Sequence, residues 1–195
     1  MNQKADLTVS GEIGQDYLPH RIKAKAFFQN PVDPESVIPI FNRWISDRTL
    51  EGHLMVDIAD YRHVPNGPSV MLVGHEADIV IDHGDGRPGL AYIRKRNWQE
   101  KNNGQSDALS SRIRIVLNWL VKTAKELNLT INSNELSLWF QDRLFARQLG
   151  LVPELTEAIN QEASIVLGKG RVEVAPIQID TRRALGFNAR LVETN

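Results

Sequence analysis

The residue types best suited to chemistry are concentrated in one stretch of the chain, residues 57–76. A histidine close to carboxylates has a pKa that its surroundings can adjust for acid–base catalysis. Asp57 as a carboxylate base and His75 as a proton carrier are therefore the candidate catalytic pair. The other polar side chains of the stretch are candidate ligand contacts: Asp60, Tyr61, His63, Asn66 and Glu76.

The same stretch could also bind a divalent metal as a cofactor. Two histidines and one carboxylate form a metal site that keeps open positions, and His63, His75 and Asp57 supply such a set. The spacing of the two histidines matches no specific metal motif. An aspartate in a strand can instead bind the amides of a neighbouring loop, and a histidine on an apolar face can be a hydrogen-bonded core residue. Both interpretations stay open at this point.

The local pattern places these residues on strands and on a loop. The run HLMVDIA at residues 53–59 predicts a buried strand, and the prolines and the Asn-Gly step that follow predict a loop. Residues 69–82 predict either one strand with a bulge at Gly74 or two strands joined by a tight bend. If the strand is continuous, His75 lies on its apolar face and Glu76 on the opposite face.

A second candidate site is the basic segment 94–114. Its candidate anion ligands are Arg94, Arg96, Arg112 and Arg114. Arg112 and Arg114 come near the start of a predicted helix, where a positive charge opposes the helix dipole and a bound anion would relieve it. These arginines could equally be solvated, or pair with the acidic residues of 49–86. The net charge of −1 gives no general reason to bind nucleic acid.

Three tryptophans suggest an alternative without catalysis. Trp98 and Trp119 accompany the basic segment, and Trp139 lies in a later predicted strand. Exposed tryptophans are typical of protein interfaces. The chain could therefore be an interaction module, and a homo-oligomer, that uses these tryptophans and the edges of its sheet.

Several classes of protein are excluded by what the sequence lacks. Without cysteine it has no disulfide, no cysteine nucleophile and no thiolate metal site. It contains no P-loop, no GxGxxG fingerprint, no HExxH and no GxSxG. The N-terminus lacks the apolar core of a secretory signal, and no apolar run is long enough to cross a membrane. We therefore expect a cytoplasmic protein.

The hydrophobic periodicity predicts the fold class. The element order is β-α-β-β-β-β-α-β-α-β-β, and the best-defined helix carries apolar residues at three- and four-residue steps from Leu109 to Leu127. Strands clustered by hairpin turns predict an α+β fold, a mainly antiparallel sheet with about three helices packed on one face. The sequence predicts a loosely ordered tail at residues 1–20 and a single domain at residues 21–195. The alternative is a domain split into two lobes near residues 97–106.

One segment resembles a known family. The sequence VDIADYRHVPNGPSVMLVGHE at residues 56–76 resembles an uncharacterised family of bacterial proteins of similar length. Weaker likeness extends to residues 41–45, 88–95 and 109–127, so that it covers roughly half of the chain. The resemblance implies a bacterial, intracellular protein, and it supplies no activity, substrate, cofactor or catalytic residue.

The sequence therefore favours a small-ligand or divalent-metal pocket at residues 57–76. A protein-interaction module is the alternative, and anion or nucleic-acid binding through residues 94–114 comes third. Whether the protein is an enzyme is not decided by its sequence.

Overall fold

The computed structural model describes residues 18–65, 67–96, 98, 109–142, 145, 152–168, 170–177 and 184–192. Its strands are β1 (Ile22–Phe28), β2 (Met55–Asp60), β3 (Pro68–Gly74), β4 (Ala77–Asp82), β5 (Gly89–Arg94), β6 (Ile131–Phe140), β7 (Arg171–Ile177) and β8 (Leu185–Val192). Its α-helices are α1 (Ile38–Asp47), α2 (Leu109–Glu126) and α3 (Val152–Leu167). Their order along the chain is the one that the periodicity predicts.

The strands form one sheet in the order β2-β3-β4-β5-β1-β6-β8-β7. Every neighbouring pair is antiparallel. The helix α1 packs on β2, α2 packs on β1 and β5, and α3 packs on β6, β7 and β8. The prediction of an α+β fold with an antiparallel sheet is therefore confirmed. Because β1 pairs with both β5 and β6, the strands before and after residues 97–106 belong to one continuous sheet.

The alternation of β1 shows which face of the sheet the helices cover. Ile22, Ala24 and Ala26 belong to the main hydrophobic core, together with the residues of α2 that recur at helical spacing. Lys23 and Lys25 alternate with them and so lie on the opposite face, because successive side chains of a strand point to opposite sides. We call this opposite face the charged face. Each large aliphatic side chain buried under the helices contributes about 1.5–3 kcal/mol.

The helices begin and end at residues suited to those positions. Asp33 accepts a hydrogen bond from the Glu35 N–H, which caps a 3₁₀ turn at Pro34–Val37, and α1 follows with Pro39 in its first turn. The helix thus starts late rather than kinking at the proline. Gly168, at a φ of +97°, follows the end of α3. No helix among the described residues is long and apolar enough to cross a membrane.

Residues 69–82 form two strands rather than one. β3 ends at Gly74 and β4 begins at Ala77, so His75 and Glu76 form the turn between them. Gly74 is required there because a Cβ atom at this position would lie 2.4 Å from the carbonyl oxygen of Ala77. His75 is therefore exposed in a turn and does not lie on an apolar strand face.

Two other strand predictions were wrong in detail. The strand predicted at residues 53–59 is not buried on both faces, because β2 lies at the edge of the sheet and exposes Val56, Asp57 and Asp60. The strand predicted at residues 136–145 is β6, which begins earlier, at Ile131. The first part of β6 carries exposed polar residues, and an apolar pattern cannot identify these as strand.

Candidate functional site

The free edge of the sheet at β2 is the first candidate surface. Among the described residues, β2 pairs with β3 on one side and with no strand on the other. Six large hydrophobic side chains are exposed among the described residues, and four of them lie on this edge or next to it: Val56 on β2, Leu54 just before it, and Tyr61 and Val64 in the turn after it. Leu54 is 48% exposed and Val56 is 51% exposed. We call residues 54–64 the β2 edge.

The opposite edge of the sheet, formed by β7, has a different character. Pro176 has no N–H to offer to another strand, and Arg171 and Glu173 form an exposed ion pair there. Prolines and charged side chains are the usual means by which proteins protect a free strand. The β2 edge instead combines exposed hydrophobic side chains with carboxylates.

The main chain of β2 directs hydrogen-bonding groups away from the sheet. The Tyr61 N–H donates to the Ser69 oxygen at 2.7 Å. Since alternate residues of an antiparallel strand bond to the same neighbour, Ile58 and Asp60 direct their main-chain groups to the free side. The Ile58 N–H is bound by its own neighbour, Asp57, whose Oδ1 accepts it at 2.8 Å. Asp57, the candidate base, thus covers an amide of the free edge.

Asp60 is held by Arg62 in an exposed ion network. Arg62 Nη2 lies 2.7 Å from Asp60 Oδ2, and its Nη1 lies 2.8 Å from Glu35 Oε2. The hydrogen bonds from Arg62 lower the pKa of Asp60 to about 2, and those from Asp60 and Glu35 raise the pKa of Arg62. Asp60 is therefore a permanent anion, unsuited to proton transfer, and it ties the β2 edge to the turn before α1.

The remaining residues predicted at 57–76 are spread over both ends of β3. Tyr61 and His63 are exposed in the turn before β3, whereas His75 is exposed in the turn after it. Glu76 Oε2 accepts the N–H of Leu54 at 2.7 Å. Asn66 lies outside the described residues.

The structure does not assemble the predicted metal centre. His63 and His75 are separated by the seven residues of β3, which span about 20 Å as a strand. Within the described ranges, no group of three or more histidines, cysteines, aspartates or glutamates is placed to hold a metal ion. The candidate catalytic pair lies on two neighbouring elements: Asp57 is on β2, opposite Val73, and His75 is in the turn that follows β3.

Three of the four arginines predicted to bind an anion contact groups of the protein itself. Arg112 is buried and donates to a main-chain carbonyl near the N-terminus at 2.8 Å. Arg114 makes two hydrogen bonds of 2.8 Å to Glu162 on α3, and these raise the pKa of Arg114. Arg94 is buried among aromatic side chains, and Arg96 is exposed. The four guanidinium groups therefore do not form one anion site.

A buried polar network around His53 was missed by the sequence analysis. His53 Nε2 lies 2.7 Å from the Tyr92 hydroxyl and 3.1 Å from Arg94 Nη1. The ring of Trp119 covers the imidazole at a centroid distance of 4.1 Å. Burial, with the nearby Arg94 charge, lowers the pKa of His53 to about 4, so the imidazole is neutral and its Nε2 accepts a hydrogen bond from the Tyr92 hydroxyl.

The physical role of the His53 network is structural. A neutral imidazole between a hydroxyl and a guanidinium satisfies polar groups that would otherwise be buried without partners. Burial also raises the pKa of Tyr92 to about 12, which keeps its hydroxyl protonated as a donor. No local pattern reveals this network, because His53 and Tyr92 are 39 residues apart.

The charged face carries a second network that sequence reasoning did not identify. Lys25 is fully buried, and its Nζ lies 2.8 Å from Asp85 Oδ1 and 3.0 Å from the Gly84 oxygen. Lys23 forms an ion pair with Asp82. Burial alone would raise the pKa of Asp82, but attraction to the two lysines holds it below its ordinary value. The alternating lysines of β1 are thus neutralised by the aspartates at the end of β4 and after it.

Glu135 organises the other half of the charged face. It accepts hydrogen bonds from Arg87 at 2.7 and 3.0 Å, from Asn188 at 2.7 Å and from Arg190 at 3.2 Å. The bonds from Arg87, then those from Asn188 and Arg190, lower the pKa of Glu135 to about 2 against the opposing effect of burial. Both carboxylate oxygens are engaged, which indicates a structural rather than a catalytic role.

Of the three tryptophans predicted to form an interface, one is buried and two are half-buried. Trp98 is buried and donates its Nε1–H to a main-chain oxygen at 3.0 Å. Trp119 is half-buried against His53 and Tyr92, and Trp139 is half-buried with Lys23 Nζ 5.0 Å above its ring. Trp98 is therefore not available to a partner, Trp119 and Trp139 are only partly so, and the more exposed hydrophobic side chains lie at the β2 edge.

Two cavities among the described residues lie far along the sheet from β2. One of about 560 Å³ lies between α3 and β7, and one of about 810 Å³ lies along α3, with Asn160 lining both. Neither is lined by a residue of 57–76. They give no support to a small-ligand pocket in that stretch.

Comparisons with known proteins add no family to these observations. No model of a known protein family matches the chain. No curated protein is significantly similar to it. The resemblance of residues 56–76 to an uncharacterised bacterial family stays a prediction, and the function must be inferred from the geometry alone.

Proposed function

We propose that this protein is an interaction module that binds an extended segment of another protein as an additional strand beside β2. The observation that carries the proposal is the concentration of exposed hydrophobic side chains on one free strand edge. Monomeric proteins seldom leave such an edge unprotected, because it is a template for pairing with another chain.

The main chain supports this mode of binding. Ile58 and Asp60 direct their hydrogen-bonding groups away from β3, and these are the groups that an added strand uses. In such complexes the main chain contributes affinity, and alternate side chains contribute specificity. Asp57, the candidate base, would then contact the bound segment together with the candidate ligand contacts Asp60 and Tyr61.

The charge of the edge favours a different protein over a second copy of this chain. Residues opposite each other in a two-fold antiparallel pair share one face of the sheet, so such a pair is centred on a residue. A pair centred on Asp57 or Ile58 would place the two Asp57 carboxylates opposite or diagonal to each other, and a pair centred on Ala59 or Asp60 would do the same with Asp60. Like charges directly opposite each other in a sheet are destabilising. A homo-oligomer paired through this edge would carry this repulsion, whereas a basic segment of another protein would not.

A peptide-binding assay tests the proposal. The probe is a fluorescein-labelled, acetylated seven-residue peptide of alternating lysine and valine, titrated with the full chain while fluorescence anisotropy is measured. We expect Val56→Asp to weaken binding at least tenfold, because burying a valine contributes about 1.5 kcal/mol or more. The substituted side chain is exposed in the free protein, so the fold should persist.

Ile165→Asp provides the matched control. Ile165 is 67% exposed on α3, outside the β2 edge, and its replacement likewise exchanges an exposed branched aliphatic side chain for a carboxylate. Its affinity for the peptide should equal that of the unmodified protein. Absence of binding, or equal losses in both variants, would refute the proposal.

A further inference from the structure

We infer that the bound segment carries a lysine or arginine opposite Asp57, and that the Asp57 carboxylate must leave the Ile58 N–H and contact this cation before the strand can pair. This inference rests on the proposed function and names the chemistry of the partner. Asp57 would thus decide which segments the edge accepts.

The first feature of Asp57 is its position on the sheet relative to Ile58. Asp57 pairs with Val73 and Ile58 with Leu72, so these two residues of β2 lie on opposite faces of the sheet. Leu72 is part of the main core, which puts Ile58 on the helix face and Asp57 on the charged face. An added strand would therefore place one side chain beside the Asp57 carboxylate and the next beside the apolar Ile58. Alternating basic and apolar residues match this arrangement.

The second feature of Asp57 is its charge. Asp60 is neutralised by Arg62, but within the described part of the chain Asp57 forms no ion pair. Its neighbours on the same face of the sheet, Ala59 and Val73, carry no charge. A lysine or arginine of the partner would supply the missing counter-charge.

The third feature of Asp57 is the hydrogen bond that its carboxylate accepts from the Ile58 N–H. The Ile58 N–H is an outward donor of the free edge, and Asp57 Oδ1 already accepts it at 2.8 Å. A partner carbonyl must displace the carboxylate to reach that amide. A neutral strand offers the displaced carboxylate no new partner, whereas a cation does. The same cap explains how an edge with exposed hydrophobic side chains can avoid indiscriminate pairing.

Three peptides and three variants test the inference. The peptides alternate valine with lysine, glutamine or glutamate, and each is titrated into the full chain by anisotropy. We expect the lysine peptide to bind at least tenfold more tightly than the glutamate peptide, with a preference that declines as salt is added. Asp57→Asn keeps an acceptor for the Ile58 N–H but removes the charge, and should weaken lysine-peptide binding about two- to fivefold.

Asp57→Ala removes both the charge and the acceptor. Because the Ile58 N–H is then free, the glutamine peptide should bind about two- to tenfold more tightly to this variant than to Asp57→Asn. Glu51→Gln is the matched control, since Glu51 is an exposed carboxylate close to β2 but outside the strand. It should leave the preference for lysine unchanged.

The outcomes separate the inference from the proposed function. If no peptide binds, the proposed function fails. If all three peptides bind equally, or Asp57→Asn behaves like Glu51→Gln, binding at the edge stands and the role of Asp57 is refuted. If the protein dimerises with concentration and Val56→Asp abolishes the dimer, a second copy is the occupant and the inference is overturned.

Discussion

Replacing Glu135 with glutamine tests whether the charged face is held together by its ion network. The Glu135 side chain is 7% exposed and receives hydrogen bonds from Arg87, Asn188 and Arg190. Glutamine preserves the shape and one acceptor oxygen. It removes the charge and directs amide hydrogens towards donors, so the donors lose an acceptor.

The shift of the Glu135 pKa sets the magnitude. A carboxyl whose pKa falls from 4.5 in the unfolded chain to about 2 in the fold contributes about 3 kcal/mol when ionised. The side chains of Arg87 and Arg190 are 46% and 63% exposed, so water screens part of this attraction. We therefore expect Glu135→Gln to lower the free energy of unfolding by about 2 kcal/mol at pH 7.

The pH dependence identifies the cause of the loss. Because the pKa is lowered in the folded state, the stabilisation is present above pH 4.5 and is lost as the pH falls from 4.5 towards 2. Urea denaturation of the original protein and the variant, at pH 7 and at pH 3, measures this. The difference between the two proteins should shrink at the lower pH.

Glu173→Gln is the control for Glu135→Gln. Glu173 lies 3.7 Å from Arg171, and both side chains are more than half exposed. Removing an exposed ion pair of this kind changes the free energy of unfolding by no more than about 0.5 kcal/mol. Equal losses in the two variants, or a loss in Glu135→Gln that does not vary with pH, would refute the reasoning.

Two further predictions concern the interior. Since the pKa of His53 is about 4 in the fold and 6.5 in the unfolded chain, the unfolded chain binds its proton first, and stability should fall by about 2–3 kcal/mol as the pH drops from 6.5 to 4. An NMR titration of the imidazole checks this, and a midpoint near 6.5 would contradict it. Gly74→Ala should destabilise by about 2–3 kcal/mol, because its Cβ would lie 2.4 Å from the Ala77 oxygen. In thermal unfolding Gly170→Ala should cost less, since its Cβ would meet only the flexible Leu191 side chain, and equal losses would count against the packing argument.

The elements that sequence could predict are those whose pattern is local. The alternation of β1 and the helical spacing of α2 each follow from one buried face, and both elements were placed within a few residues of their observed bounds. The antiparallel sheet follows from short turns between successive strands, such as the one after Gly74. The polar start of β6 was missed because an exposed strand end carries no apolar alternation.

The sequence located the candidate site only to within the segment 57–76. The density of polar residues at 57–76 did indicate a surface segment, and it includes most of the β2 edge. The sequence could not show which of these residues converge, because proximity along the chain is not proximity in space: β3 separates His63 from His75, and Asp57 accepts a hydrogen bond from the amide of its own neighbour. That β2 is an edge strand depends on the order of all eight strands, which no local pattern contains.

The sequence by itself determined the element order, the fold class, the absence of cysteine chemistry and which residues of β1 and α2 enter the core. These properties depend on residue type and on periodicity over a few turns. Only the tertiary structure decided which charges pair, such as Lys23 with Asp82 and Arg87 with Glu135, which are 59 and 48 residues apart. The tertiary structure also decided that β2 lies at an edge of the sheet. The ion pairs and the edge position both follow from the register and order of the strands, and the packing of the whole chain sets that register and order.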